Sequence, residues 1–458
     1  MFGNTKRIHF VGIGGIGMSG MAELLHCLGF EISGSDQEKS DRTNHLQSLG
    51  IDIFIGHNSN NIINCDVLVY SSAVDVKNEE LIHAKNIGIP VIRRAEMLGE
   101  LMKVKKISIG VSGTHGKTTS SSLLGNILEI SKMEPTLVIG GIVNKFNTNA
   151  ISGSGDVIVV EADEFDKTFL QLSPTYSIIN NLDLEHLDCY KNIEDLQSSF
   201  IKFANSVPFY GKVAICIDDK NTKKIISKIK RPIVTFGLSG DAYYKAKNIK
   251  YMKNQTTFDL HVDKKFQTKI ILNIPGKHNI QNALGAIAIS HELNLSILNI
   301  KRGLEEYTGV RRRFQIVNKF DFGTILVDDY AHHPTEVEAT LDCARKGWNN
   351  RIVAVFQPHL YSRTRDFHKQ FAKAFLKSDI TILTDIYAGR EDAIEGVHAN
   401  LIIKHMKKLK YENVFYVSNK NNISKLLKNI HKNGDLIIVM GAGDIWRQIK
   451  NISEELSI

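Results

Sequence analysis

Short apolar runs and longer amphipathic stretches take turns along this 458-residue chain. The alternation is the rhythm of strand–helix–strand units with parallel sheets. The spacing predicts a strand over 8–11, a helix over 18–28, and further strands over 31–33, 67–70 and 91–92. A second stretch opens at Lys105-Lys106. It carries predicted strands over 157–160, 177–180 and 213–217, a β-rich section over 242–274, and a helix entered through Pro275 that runs to about His291. A third stretch begins near Arg311-Arg312-Arg313, with strands over 324–328, 351–356, 380–383, 414–417 and 436–440. No repeat of fixed period and no low-complexity tract interrupts it. The expected fold is α/β in three domains. These are an N-terminal Rossmann-like domain over 1–104, a central P-loop ATPase-like α/β domain with an extra β section over 105–308, and a C-terminal Rossmann-like domain over 309–458.

The chemistry sits where the apolar runs end. The run over 107–112 leads into Gly113-Thr114-His115-Gly116-Lys117-Thr118-Thr119, followed by a helical pattern. That is the layout of a nucleoside-triphosphate cradle. Backbone amides of the loop and helix start face the phosphates, Lys117 adds a point charge, and Thr118 can hold Mg²⁺. The common G-x-x-x-x-G-K-[ST] loop would need glycine at 111; Val111 stands there, so this loop is short. Earlier, Gly12-Ile13-Gly14-Gly15-Ile16-Gly17 matches G-x-G-x-x-G between a strand and a helix. Asp36 follows Gly17 at about the 20-residue spacing of a ribose-binding carboxylate. The motif taken alone points to NAD. Its physics asks only for a pyrophosphate at a helix N-terminus, which a UDP-sugar also carries. A tight turn without ligand is the bland alternative.

Acids close the next strand, in Glu161-Ala162-Asp163-Glu164, and a carboxylate beside a phosphate loop suits Mg²⁺. His186 falls where strand ends should gather. Mg²⁺ prefers oxygen, so spacing leaves both a ligand role and a structural one open. In the third stretch a strand ends in Asp328-Asp329-Tyr330-Ala331-His332-His333, with Pro334 placed to start a helix. Adjacent histidines can be a metal pair, and phosphate or carboxylate contact is at least as good a reading. Gln357-Pro358-His359-Leu360-Tyr361-Ser362-Arg363-Thr364-Arg365 puts two arginines and a histidine at another strand end, which suits an anion.

Composition adds bounds. At 43% hydrophobic and 23% charged, the chain is of ordinary globular type. The formal charge of +8 comes largely from scattered lysine, with no aromatic-interleaved basic stripe, so no nucleic-acid partner is expected. Cys27, Cys65, Cys189, Cys216 and Cys343 are scattered and form no C-x-x-C, which reads as thiols in a reducing compartment. The apolar start is broken by five glycines and followed by Glu23 and His26. No other segment is long and apolar enough to span a membrane. The expectation is a cytoplasmic protein without membrane insertion, a monomer or weak homodimer.

The short Gly-Thr-x-Gly-Lys-Thr-Thr loop resembles that of the Mur ligases and folylpolyglutamate synthetases. The other motifs resemble the Mur ligases over nearly the whole chain. His9 through Gly20 is similar to an opening found in that family, and Glu161 through Glu164 to its acidic strand end. Gly276-Lys277-His278-Asn279 with Asn282 resembles its adenine-binding segment. The segments 328–336, 357–365 and 440–445 resemble its C-terminal signatures. The resemblance implies ATP-driven amide formation, through an acyl phosphate, between L-alanine and the lactyl carboxylate of UDP-N-acetylmuramate. It implies ATP as co-substrate and Mg²⁺ (or Mn²⁺) as metal, with the third domain closing over the other two. Gly12, Ile13, Gly14, Gly15, Ile16, Gly17, Asp36, Ser71, Ser72 and Arg94 would line the UDP-sugar site. Gly113, Thr114, His115, Gly116, Lys117, Thr118, Thr119, His278, Asn279, Asn282, Arg313 and Asp329 would bind ATP. Thr118, Glu161 and His186 would hold the metal. Tyr330, His332, His359, Arg363 and Arg365 would surround the amino acid, and Lys117, His332 and Arg313 would supply catalytic charge. Two positions depart from relatives: Leu360 stands where some have arginine, and Glu185 where an aspartate often precedes the metal histidine. Within the family the alternative is ligation of a tripeptide to the same sugar. Outside it stand an NAD-dependent dehydrogenase, which leaves the ATP loop idle, and an ATP-binding regulator, which has no use for Arg363 and His332.

Overall fold

The computed structural model describes residues 2–71, 73–183, 189–389 and 391–457. Two of the expected site residues, Ser72 and His186, lie outside them. The chain is mixed α/β, and its described residues form three sheets. By its internal contacts it forms two compact units. The first unit is 1–248 with 258–270 and 281–308, and the second is 249–257 with 271–280 and 309–458.

In the first unit, β1 (Arg7–Val11), β2 (Glu31–Asp36), β3 (Asp52–Ile55), β4 (Val67–Tyr70) and β5 (Val91–Arg93) form a sheet in the order β3-β2-β1-β4-β5. All its pairings are parallel. The order reverses between β2 and β4 on either side of β1. That switch point opens a crevice at the C-terminal strand ends, where open α/β sheets bind ligands. The glycine loop follows β1, and Ser71 follows β4.

The second sheet has ten strands: β6 (Ile107–Ser112), β7 (Thr136–Val143), β8 (Thr148–Ile151), β9 (Val157–Glu161), β10 (Tyr176–Ile179), β11 (Lys212–Cys216), β12 (Ile233–Gly237), β13 (Tyr244–Met252), β14 (Gln255–Val262) and β15 (Lys265–Leu272). β6 lies between β10 and β9, parallel to both, so the phosphate loop emerges from the buried middle of the sheet. The β-rich section expected over 242–274 is β13 to β15. The antiparallel β7–β8 pair escaped the sequence reading, because Gly140-Gly141 breaks its apolar run. It packs on helix Ile16–Cys27, where Asn149 Nδ2 donates to the Ile16 carbonyl at 2.7 Å. One apolar core runs through both sheets, from Ile8 and Phe10 to Phe200 and Ile215.

The second unit holds β16 (Gln315–Lys319), β17 (Ile325–Asp329), β18 (Ile352–Phe356), β19 (Ile380–Thr384), β20 (Val414–Val417) and β21 (Leu436–Met440), in the order β16-β17-β21-β18-β19-β20. Only β16 runs antiparallel. Residues of β17, β18 and β21 are buried on both faces, which explains their unbroken apolar sequences. These three strands are neighbours, so the segments after Asp329, Phe356 and Met440 emerge side by side. Among the described residues no helix is long and apolar enough to cross a membrane.

Candidate active site

The first unit carries the two glycine loops. After β1 the chain turns so that the Gly12 and Ile13 amides donate to the Ser35 carbonyl at 2.8 and 3.0 Å. The Gly14 amide donates to Asp36 Oδ2 at 2.7 Å. Asp36 therefore shapes the loop as well as standing at its mouth. Helix Ile16–Cys27 starts with Gly15 as N-cap and no side-chain cap, the arrangement that leaves first-turn amides for an anion. A side chain at Gly17 would lie 2.9 Å from Arg94 Nη1, so glycine there is what lets the guanidinium reach the helix start. The structure thus brings Gly12 to Gly17, Asp36 and Arg94 together, with Ser71 N bonded to the Val11 carbonyl at 3.2 Å. Arg42, which donates to the Gly14 carbonyl at 3.2 Å, was missed; nothing in its sequence context marked it.

The phosphate loop joins β6 to helix Lys117–Ile130. Gly116 is the N-cap with φ +82, and a side chain there would collide with Asn282 Oδ1. Loop shape is held by two asparagines the sequence reading passed over. Asn181 accepts from the His115 amide at 2.8 Å and donates to its carbonyl at 3.1 Å, and Asn180 Nδ2 donates to Ser120 Oγ at 3.0 Å. Thr114 Oγ1 and the Asp183 backbone exchange bonds of 3.0 and 3.1 Å. Lys117 Nζ donates to Glu164 Oε2 at 2.7 Å and lies 3.6 Å from Asp163. Burial opposes its charge, but Glu164, Asp163 and Glu161 outweigh burial and hold the ammonium well above its ordinary pKa. Thr118 Oγ1 lies 3.1 and 3.0 Å from the two Glu161 oxygens, and Gly140 N donates to Oε2 at 2.7 Å. A hydroxyl and a carboxylate side by side are hard oxygen donors that fit Mg²⁺. His278, Asn279 and Asn282 share helix Lys277–Glu292, and 278 and 282 fall on one face.

In the second unit the ends of three neighbouring strands carry the candidate residues. Asp329 accepts from the Phe314 amide at 2.7 Å and the Ala331 amide at 2.8 Å. Burial raises its pKa, with the Ala331 amide pulling back. Oδ2 thereby holds the loop that carries Arg313, and Oδ1 holds the turn after β17, where it also takes the Thr340 hydroxyl at 3.3 Å. Asp328 is raised to about 6, by burial first, against the pull of Arg312. Arg312 donates to the Gly441 carbonyl and lies over the Tyr330 ring at 4.9 Å. Arg313 lies over the same ring at 5.3 Å, and 3.7 Å from Glu336.

Pro334 begins helix Pro334–Gly347, as expected. Glu336 reaches back to the His332 and His333 amides at 3.1 and 3.3 Å. The two histidines diverge, which removes the metal-pair reading. His333 is buried edge-on to Phe367, whereas His332 meets Tyr330 and His359 at centroid distances of 5.2 and 5.7 Å. His359 stacks on Tyr387 and accepts or shares a bond with Arg363 Nη1 at 3.2 Å. Tyr330, His332, His359 and Arg363 therefore gather, and Tyr387, invisible as a motif, joins them. Arg365 does not gather with them. Two residues along helix Tyr361–Ala374 it faces away, exposed, and is forked onto Asp366 at 2.7 and 3.0 Å. Leu360 precedes this helix with φ +71, a strained position for a branched side chain, of the kind that clusters at functional sites.

Comparison with known proteins bears on the family and the fold. Residues 7–106 match the family model "Mur ligase family, catalytic domain", 111–290 the "Mur ligase middle domain", and 312–443 the "Mur ligase, glutamate ligase domain". The UDP-N-acetylmuramate–L-alanine ligase of Geotalea uraniireducens is 45% identical over 456 residues, spanning 100% of this chain and 99% of that one. The enzyme of the same name from Geotalea daltonii is equally similar, at 45% over 456 residues. The crystal structure of UDP-N-acetylmuramate–alanine ligase from Thermotoga maritima superposes with a TM-score of 0.84 at 30% identity, covering 99% of each chain. Three family models in succession and full-length identity at this level mean that the chain belongs to the Mur ligase family.

Proposed function

We propose that this protein is an ATP-dependent ligase that joins L-alanine to the lactyl carboxylate of UDP-N-acetylmuramate, an early step in peptidoglycan precursor synthesis in the cytoplasm. What carries the reading is near-complete coverage of relatives bearing that activity in their name, over a chain whose phosphate loop holds Lys117 and Thr118 beside Glu161. In this reading the Gly12–Gly17 loop, Asp36 and Arg94 grip the UDP-sugar. Gly113 to Thr119 cradle ATP, with His278, Asn279 and Asn282 at adenine. Thr118 and Glu161 would hold Mg²⁺, which would supply charge neutralisation on the phosphates.

The substrate carboxylate attacks the γ-phosphorus and ADP leaves, giving an acyl phosphate. The L-alanine amine then attacks the acyl carbon, a proton is lost from nitrogen, and phosphate departs. Such chemistry asks the protein for positioning and for positive charge on transferring oxygens. Lys117, already ringed by carboxylates that keep it protonated, offers that charge to the β- and γ-phosphates. Arg313 and His332 are the cationic candidates of the second unit. Arg363, held by His359, is the cation for the amino-acid carboxylate. Phosphate release from ATP tests the reading. It should require both UDP-N-acetylmuramate and L-alanine; turnover with the sugar and a tripeptide but not L-alanine would establish the tripeptide ligase instead.

A further inference from the structure

Glu80 belongs to none of the motifs above. It lies in the first turn of helix Glu79–Asn86 and is fully buried. A carboxylate out of water is costly unless it is well bonded. This one is. Ser35 Oγ donates to its Oε2 at 2.6 Å, and the Asn58 amide and Asn61 Nδ2 donate to Oε1 at 3.2 and 2.5 Å. His57 and His9 stand 3.5 and 3.8 Å from Oε2. His9 is itself bonded through Nδ1 to Ser33 Oγ at 2.8 Å, and His57 Nδ1 meets Ser35 Oγ at 2.9 Å. Burial would raise the Glu80 pKa, but His9, Ser35 and Asn61 outweigh it and bring the carboxyl down to about 2.

A strand in the middle of a parallel sheet is expected to be apolar. His9 on β1 and Ser33 and Ser35 on β2 break that rule side by side; His9 and Ser33 are register partners. Apolar residues of similar size would hold the sheet as well or better. What the polar set adds is definition at one place, the end of β2. The Ser35 carbonyl takes the Gly12 and Ile13 amides, and the Asp36 carboxylate takes the Gly14 amide. Three successive loop amides thus hang from two residues, and the first of those is tied by its side chain to Glu80.

We propose that Glu80 is a positioning residue for the UDP-sugar site: through the Ser35 hydroxyl it fixes the strand end from which the glycine loop is suspended. The proposal rests on the reading of that loop as the pyrophosphate site. Its test uses the full-length protein, with steady-state kinetics and calorimetric titration of UDP-N-acetylmuramate on wild type, Ser35→Ala, Glu80→Leu and Glu80→Gln. Ser35→Ala and Glu80→Leu should each raise the KM and Kd for the UDP-sugar about tenfold or more. The KM values for ATP and L-alanine should stay within twofold. Glu80→Gln, which keeps the shape and one acceptor for Ser35, should recover most of the loss. Should Glu80→Leu not fold, Ser35→Ala, which removes one hydroxyl, decides alone. Variants that lower Tm yet bind the UDP-sugar within twofold of wild type would show a merely structural role and overturn the proposal. So would an equal rise in all three KM values. A wild type that does not bind the UDP-sugar at all overturns the reading of the loop, a result distinct from variants that match a binding wild type.

Discussion

Arg363 and Arg365 are chemically identical and two positions apart, yet the fold gives them different surroundings. Helical geometry sends them to different faces. The sequence offered both, and burial beside His359 against a fork on Asp366 separates them. Losing a bidentate charged contact costs on the order of 1.5–3 kcal/mol. We expect Arg363→Lys to raise the KM for L-alanine roughly tenfold to a hundredfold, with that for ATP nearly unchanged. Arg365→Lys should alter neither, and a larger effect from it in the same assay would reverse the assignment. Lys117→Ala should abolish ligation while UDP-sugar binding, measured by calorimetry, persists. Glu80 makes a prediction about pH. Its folded pKa lies below the ordinary glutamate value, so the unfolded chain takes up the proton first as pH falls. Its contribution is therefore fully present above about pH 4.3 and is lost as pH drops toward 2. In urea titrations the stability gap between wild type and Glu80→Gln should shrink by roughly 1.5 kcal/mol between pH 6 and pH 3. A gap that does not change with pH would mean the buried carboxylate is not the charged partner described.

Helices and central strands were legible because period 3.6 and continuous apolar runs survive in the sequence. Strands Val414–Val417 and Leu436–Met440 match their expected bounds, and most others shift by a residue or two. Elements without such a signature were not legible. β3 is only four residues, half exposed, and the β7–β8 pair contains two adjacent glycines. Yet that pair supplies the Gly140 amide to Glu161 and Asn149 to the first glycine helix. The loops were legible as chemistry and not as shape. Gly116 shows the difference: its glycine was readable as loop composition, while its left-handed φ and the nearness of Asn282 appear only in the fold. Gly116→Ala meets both obstacles, so it should raise the KM for ATP at least tenfold and leave UDP-sugar affinity within twofold. An ATP KM close to wild type would show that the loop relaxes around the added methyl.

For the enzyme as a substrate-binding system, mass action gives the clearest test. A ligand that binds only the folded state adds about 2.7 kcal/mol of stability at a hundred times its Kd. UDP-N-acetylmuramate should therefore raise Tm by several degrees, and NAD and NADP at the same concentration should not; a shift with NAD alone would restore the dehydrogenase reading. The fold class, the two glycine loops and the family were written in local order along the chain. Each rests on contiguous residues: a strand, a short loop, a helix start. Periodicity and glycine placement are properties of neighbours in sequence, and so they can be read from it. The partners of those loops, and of the strand ends in the second unit, are set by pairs far apart in the chain, such as Ser35 with Glu80, Asn181 with His115, and Tyr387 with His359. Sheet order brings such pairs together, through which strand lies beside which and which helix face turns inward. Only the tertiary structure could decide them, because a buried polar group is satisfied by whatever the fold places against it, and no local pattern records that choice.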